Sequence, residues 1–383
     1  MNNTLLTEDE LLLKSTVRDF AQRSLAPRAA NYDQSGSFPA DNIKEMASLG
    51  LFGLGIDPSY GGGGGAMRQT AAVVEELARG CVGTSTIYVA HHSLATQYIY
   101  RYGSDTHKRK YIPPMATAEK IGAFALTEPD AGSDAAGITT MAVRNGDDYV
   151  INGTKIFITN AVEADVFVVL VTLNPSLRSK GVIALIVDAD TPGIAVNKMP
   201  GKMGIRASST AEVVFKDCHV PVTNLIGSEQ NGFRSAMEVL NTSRIGIAAQ
   251  AVGIAQAAYD EALGYVKKRT AFANHLADFQ GVQWSIADMA TRVHAARLMA
   301  LHAATLHDKD QPFIKEASMA KLFASRAAVE NADKAVQLHG GVGYFAPTTA
   351  ERLYRDAKIT EIYEGASEIQ RLIIARSVID ESP

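Results

Sequence analysis

Glu364 lies in the stretch Ile362-Tyr363-Glu364-Gly365, just ahead of an apolar-periodic C-terminal segment. A carboxylate at such a loop-to-helix junction can serve as a general base. A lone Glu before a helix is more often a solvated carboxylate in the first turn. Gly365 lets another backbone come close. Arg244 follows Asn241, Thr242 and Ser243. It can bind an anion, or it can be a helix-surface cation with a local acidic partner. Gly340 and Gly341, after Gln337, can simply stop a helix. His91 and His92 are adjacent, which is poor spacing for two ligands on one helix. No Asp, Glu or Cys cluster joins them, so no metal site is expected. Tyr60 and the five glycines that follow lack the Lys and Ser/Thr of a P-loop. They read as a flexible turn between helices.

The elements that must position these residues can be read from composition and period. At roughly 150 residues per domain, 383 residues make about two and a half domains. Hydrophobic content of 46% and charged content of 20% exclude wholesale disorder. A net charge of −4 gives no basic field for nucleic acid. Two cysteines, Cys81 and Cys218, cannot build a disulfide scaffold and suit a reducing compartment. No run of 18 apolar residues predicts a membrane span, and the N-terminal stretch lacks a signal-peptide core, so a cytoplasmic location is expected.

The first third is helical in pattern. Leu5, Leu6, Leu12, Leu13, Val17, Phe20 and Leu25 recur at helical spacing behind Thr7 as N-cap, with Pro27 near the end of the pattern. Further helices are expected over about 39–49, closed by Gly50, and over about 67–79 and 84–102. From about residue 119 the period changes. Val166–Val171 and Val182–Val187 are β-type runs, and Glu212–Phe215 continues the pattern. Asn145-Gly146, Asn152-Gly153 and Pro192-Gly193 punctuate them as turns. Without long helices between strands, an antiparallel barrel or sandwich is expected. After Gly232 three long Ala-rich helices return, as in a bundle. The predicted class is α+β: a helical region at 1–118, an antiparallel β region at 119–228 and a four-helix-bundle-like region at 229–383.

Four motifs go further: FALTEPDAGSD (124–134), KIFITNA (155–161), QLHGGVGY (337–344) and IYEGASEIQ (362–370). In this order and spacing they resemble the acyl-CoA dehydrogenase family across nearly the whole chain. The resemblance implies α,β-dehydrogenation of an acyl-CoA thioester to the trans-2-enoyl-CoA. Glu364 would take the α-proton and the N5 of FAD the β-hydride. Phe124, Leu126, Thr127, Gly132 and Ser133 map onto flavin positions, as do Phe157, Ile158 and Thr159. Phe157 stands where Trp is common. Arg269, Phe272 and Gln280 map onto a segment that reaches a neighbouring subunit's FAD, with Gln337, Gly340 and Gly341 completing that nucleotide site. Ala366, Ser367 and Glu368 map onto further cofactor positions, Ala366 replacing a usual Thr. Ser133, Asn241, Arg244 and Gly365 map onto the substrate side, and the stretch after His91 and His92 onto the acyl pocket, with His91 in its wall.

The resemblance also implies an electron-transferring flavoprotein as acceptor and a homotetramer built as a dimer of dimers. The segment RIGIAAQAVGIAQAA (244–258) favours a short acyl chain, with branched-chain or alicyclic substrates as alternatives. An acyl-CoA oxidase and a non-catalytic acyl-CoA-binding subunit are the rival readings. The first is typically longer, and the second needs no base at position 364.

Overall fold

The computed structural model describes residues 6–380, so Leu5 of the N-terminal pattern lies outside the described residues. Helix α1 (Glu8–Phe20) opens with a capping box. The Thr7 hydroxyl accepts from the Glu10 amide, and the Glu10 carboxylate accepts from the Thr7 amide. The helix does not stop near Pro27. It runs through a π turn (Ala21–Leu25) into α2 (Ala26–Ser35), where Pro27 takes an early position that tolerates the missing N–H. Then come α3 (Ala40–Ser48), α4 (Met67–Gly80), α5 (Val82–Tyr88), a π segment (Val89–Thr96), α6 (Gln97–Tyr102) and α7 (Asp105–Ala116). Gly50 ends its helix at a φ of 69°, as expected. Helix α7 was not legible in sequence because it carries Pro113 and Pro114.

The glycine run after Tyr60 is tied down. The Gly55 amide donates to Gly64 O at 2.6 Å, and the Gly63 amide to Gly53 O at 2.9 Å. A Cβ on Gly62 would stand 2.1 Å from Ile56 O, so only glycine fits that crossing.

Seven strands form the middle region: β1 (Gly122–Ala125), β2 (Met141–Asn145), β3 (Asp148–Thr159), β4 (Val166–Thr172), β5 (Val182–Asp188), β6 (Ile194–Lys198) and β7 (Thr210–Pro221). The sheet order is β1-β4-β2-β3-β7-β6, with β5 beside β4. Four pairings are antiparallel, as expected. In addition β1 runs parallel to β4, and β2 meets β4 in parallel at Met141–Thr172.

The apolar runs at 166–171 and 182–187 have a simple cause. Val166, Val168, Leu170, Ala184 and Ile186 face a core shared with α6, α7 and the start of the next helix. Phe167, Val169, Val171, Ile183 and Leu185 face a second core closed by β3 and β7. Strands buried on both faces lose the in–out alternation.

Helix α8 (Gly232–Lys268) has 37 residues and is about 55 Å long. A short hairpin, β8 (Thr270–Ala271) and β9 (Asn274–His275), leads to α9 (Gln280–Asp308) and α10 (Ile314–His339). Then follow α11 (Thr349–Ala357) and α12 (Ser367–Asp380). The first and third regions share one core: Val73, Val74 and Leu77 of α4 pack with Ala248, Ala251 and Ala255 of α8 and with Ala324 and Ala328 of α10. Small side chains let the helices approach closely. Among the described residues no helix is long and apolar enough to cross a membrane.

Candidate active site

Glu364 sits in the turn before α12 with a φ of 51°, and Gly365 follows at 100°. Left-handed backbone costs a non-glycine residue about 1–2 kcal/mol. The surroundings hold it there. Lys321 Nζ donates to Gly365 O at 2.8 Å, Gln370 Nε2 to the same oxygen at 2.9 Å, and Arg244 Nε to Glu364 O at 3.5 Å. At its φ of 100° a side chain on Gly365 would be strained, and its Cβ, 2.6 Å from Gln370 Nε2, would displace that amide. The Glu364 carboxylate accepts a hydrogen bond from the fully buried hydroxyl of Ser243 on α8. Burial pushes its pKa up to about 7, against the opposing pull of Ser243, Lys321 and Arg244. Burial likewise lowers Lys321 to about 8. A carboxyl poised near 7 can take up or release a proton at neutral pH.

Glu364 lines a cleft between the helical regions and the β region. The opposite wall comes from the β region: Phe124, Leu126, Thr127, Gly132, Ser133, Phe157, Ile158 and Thr159. A buried ion pair builds this wall. Lys155 Nζ reaches Glu128 at 2.7 Å and Leu126 O at 3.0 Å. Glu128 also accepts from the amides of Thr139 at 2.6 Å and Thr140 at 2.9 Å. The loop after β1 is thereby clamped onto β3. The β3–β7 register slips between Lys155 and Ile158, and Phe157 takes a φ of 58°. This bulge turns Phe157 out of the sheet into the cleft, leaving it 62% exposed.

The inner end of the cleft is lined by Thr86, Val89, Ala90, Leu94, Ile247 and Tyr363. The π segment supplies Val89, Ala90 and Leu94, and such distortions often mark sites. A polar chain closes the end. The Tyr363 hydroxyl donates to Gln250 Oε1, Gln250 Nε2 donates to Thr86 Oγ1 at 3.0 Å, and Thr86 Oγ1 donates to Val82 O at 3.0 Å.

At the other side, Arg244 donates to Asn241. Asn241 also lines a second cleft with Arg101, Thr242 and Lys315, and with the carboxylates of Glu238, Asp310 and Glu316. Arg101 donates to Thr242 Oγ1 at 3.1 Å and contacts His307 Nε2 at 3.2 Å.

Sequence reasoning thus finds eleven of the residues that line the first cleft: those eight wall residues with Arg244, Glu364 and Gly365. It missed Ser243, Gln250, Lys321, Arg101 and the Glu128–Lys155 pair. The signal for the pair was present, as opposite charges in two quoted motifs. His91 is not in the wall. It is fully buried, donates to Met115 O at 2.9 Å and accepts from the Gly122 amide at 2.8 Å, so its ring ties the end of α7 to the start of β1. Within the single chain, Arg269, Phe272, Gln280, Gln337, Gly340 and Gly341 are exposed and do not line the cleft. Ala366, Ser367 and Glu368 stand just beyond it, at the start of α12. No group of three or more potential metal ligands occurs among the described residues.

Three family profiles match the chain: acyl-CoA dehydrogenase N-terminal domain at 7–119, middle domain at 123–218 and C-terminal domain at 230–379. The chain is 46% identical to acryloyl-CoA reductase (NADH) of Anaerotignum propionicum, over 98% of its length and 95% of that protein's. It is 45% identical to the short-chain specific acyl-CoA dehydrogenase of Clostridium acetobutylicum, over 97% and 98% of the two. Among solved structures, butyryl-CoA dehydrogenase of Megasphaera elsdenii superposes with a TM-score of 0.95 at 39% identity, covering 98% of this chain and 99% of its own. A chain from work on the electron-transferring flavoprotein of Acidaminococcus fermentans and flavin-based electron bifurcation gives 0.96 at 42% identity, with 98% and 99% coverage.

Proposed function

The chain belongs to the acyl-CoA dehydrogenase family, whose FAD-dependent oxidation of acyl-CoA it performs, and we propose that Glu364 is the base of that reaction. The observation that carries this reading is a buried carboxyl, poised near 7, on the same cleft as the β-region wall. That wall suits a flavin. Phe157 and Ile158 offer apolar surface beside the hydroxyls of Thr127, Ser133 and Thr159, and a Cβ on Gly132 would touch no protein atom within 4 Å. When bound, FAD supplies the hydride acceptor that no side chain provides. Leu126, Thr127, Gly132, Ser133 and Phe157–Thr159 would hold its ring. Arg269, Phe272, Gln280, Gln337, Gly340 and Gly341 of a neighbouring copy, with Ala366, Ser367 and Glu368, would hold the rest.

Glu364 removes the α-proton of the thioester. Its backbone conformation, fixed by Lys321, Gln370 and Arg244, keeps the carboxylate on the cleft side. The Tyr363–Gln250–Thr86 chain closes the acyl end. Because these polar groups already satisfy one another, a longer alkyl chain would have to break bonds to pass. A short acyl group such as butyryl fits best, in line with the short-chain and butyryl-CoA relatives. Branched or alicyclic groups are the alternatives. Arg244 and Asn241 hold the pantetheine side, and Arg101 and Lys315 of the second cleft receive the charged end of CoA.

Electrons leave to an electron-transferring flavoprotein, a reading supported by the Acidaminococcus chain. The acryloyl-CoA reductase relative favours a second direction for the same residues, with protonated Glu364 returning a proton to an enoyl-CoA. The exposed residues at 269–284 and 340–345 support assembly into a homotetramer. The division at 118 and 228 stays as proposed, with β1 and α8 starting just after those points, and a cytoplasmic location is proposed with it.

The test is anaerobic mixing of the yellow holoenzyme with butyryl-CoA. Bleaching of the flavin is expected. Glu364→Gln should keep its flavin and slow the bleaching by about 10²–10⁴-fold. Rapid bleaching by that variant would remove Glu364 from the role.

A further inference from the structure

We propose that Ser243 is a positioning residue for the base: its hydroxyl holds the Glu364 carboxylate against α8 and keeps one oxygen occupied while the other takes the substrate's α-proton. The inference rests on the reading of Glu364 as the base. It starts from an asymmetry in how Glu364 is held. Lys321, Gln370 and Arg244 all bond to backbone oxygens of Glu364 and Gly365. They fix the main chain and leave the side chain free to turn. Among the described residues, the hydrogen bond recorded to the carboxylate itself comes from Ser243. Ser243 lies on the buried face of a 37-residue helix and has no exposed surface. A hydroxyl there is expensive unless it has a partner, and the partner is the reacting group.

The stretch Asn241-Thr242-Ser243-Arg244 holds no carboxylate, so Ser243 supports a base it cannot replace. A hydroxyl also suits the task. It donates to one oxygen of the ionised carboxylate and goes on donating to that oxygen, now the carbonyl of the acid, once the other oxygen is protonated, so the contact persists through the transfer. The proton passes from the α-carbon to Glu364, and Ser243 keeps its own. The charged and titratable groups facing Glu364 are Arg244 on α8, Lys321 on α10 and the Tyr363 hydroxyl on its own segment. Glu361 and Glu368 act on Lys321 from the same end. Arg244 and Lys321 favour the ionised carboxylate through charge, whereas Ser243 adds direction.

The test is the pH profile of flavin reduction by butyryl-CoA in the holoenzyme, for wild type, Ser243→Ala and Ser243→Thr. Hydrogen bonds to charged groups contribute enough to shift a pKa by about 1–2 units. The acid limb for Ser243→Ala should therefore move up by about one unit, with a tenfold loss of rate well below the limb and a smaller loss on the alkaline plateau. Ser243→Thr should restore both. An unchanged limb and plateau in Ser243→Ala would overturn the proposal, as would a Ser243→Thr profile matching that of Ser243→Ala. Should Ser243→Ala fail to retain flavin, Ser243→Cys, whose thiol is a weaker donor, takes its place, with an upward shift expected and an unchanged limb overturning the proposal. A flavin-replete Glu364→Gln enzyme that still reduces rapidly would instead strike down the reading of Glu364 as the base, which keeps the two failures distinct.

Discussion

At the scale of single residues, the site works by setting protons and charges in a partly closed cleft. Glu364 is held near 7 by burial. A base must be ionised, so its useful fraction falls as pH drops through 7. The rate of flavin reduction should decline about tenfold per unit below that point and level off above it. A stopped-flow profile from pH 5.5 to 9 checks this, and a flat profile would contradict it. The Glu128–Lys155 pair sets a different balance. Burial pulls Lys155 down to about 8, although Glu128 opposes the shift. Breaking such a pair leaves a lone buried charge and costs about 3–5 kcal/mol. Lys155→Ala should lose stability on that scale in denaturant titrations and lose flavin with it, because the loop carrying Thr127–Ser133 would no longer be clamped to β3. Retained flavin and stability would show that the clamp is dispensable. At the second cleft, Arg101→Gln should raise KM for acyl-CoA severalfold and leave kcat nearly unchanged, since Arg101 lies away from the reacting atoms. Equal effects on both would count against a CoA-binding role.

At the scale of elements, the π segment Val89–Thr96 does two jobs. Its Val89, Ala90 and Leu94 line the cleft, the proposed acyl wall, and its other side carries His91 and His92, both buried and bonded to backbone carbonyls. Burial lowers both to a pKa of about 4, from an ordinary value of 6.5. A depressed folded-state pKa means the neutral ring is favoured in the native protein. The stability this gives is complete above about 6.5 and is lost as pH falls toward 4. Asp356, raised to about 6 by burial, acts with the opposite sign, so total stability hides the effect. The difference between wild type and His91→Gln does not: it should be largest above pH 7 and shrink as pH is lowered to 4.5. Urea titrations at several pH values give that difference, and a constant gap would mean that His91 titrates normally. The same segment shows what the sequence could and could not disclose. A helix over about 84–102 was legible from its apolar spacing, but the π turns were not, because they arise from packing against β1 rather than from local preference. Helix α7 was obscured by its two prolines. The motif at 155–161 singles out Phe157 in sequence, and the bulge in β3 explains why its side chain faces the cleft. Ser243 and Gln250 are polar residues on an Ala-rich helix. Their meaning depends on Glu364 and Tyr363, more than 110 positions away, which periodicity does not reach.

At the scale of the whole molecule, chain order and spatial order differ. The helical regions at the two ends of the chain share one core, and the β region stands beside them, so the cleft forms where all three meet. Residues from 86 to 369 therefore line a single site, and no region alone carries it. The residues proposed for the nucleotide side are the exception, lying outward. Phe272 is 90% exposed, Tyr344 79%, Phe345 69% and Trp284 67%, clustered in the segments at 269–284 and 340–345. Large apolar side chains at such exposure call for cover. In the proposed assembly a second copy of the chain would provide it and bring its Arg269 and Gln280 to the cofactor's far end, so assembly and FAD retention should be one property. Four chains of 40.9 kDa make a particle of about 164 kDa. Phe272→Asp should reduce the mass seen by light scattering and release FAD in parallel, while the unpaired subunit keeps its helical circular dichroism. Loss of flavin at unchanged mass would separate the two and confine Phe272 to cofactor contact; unchanged mass and flavin would remove this surface from the assembly.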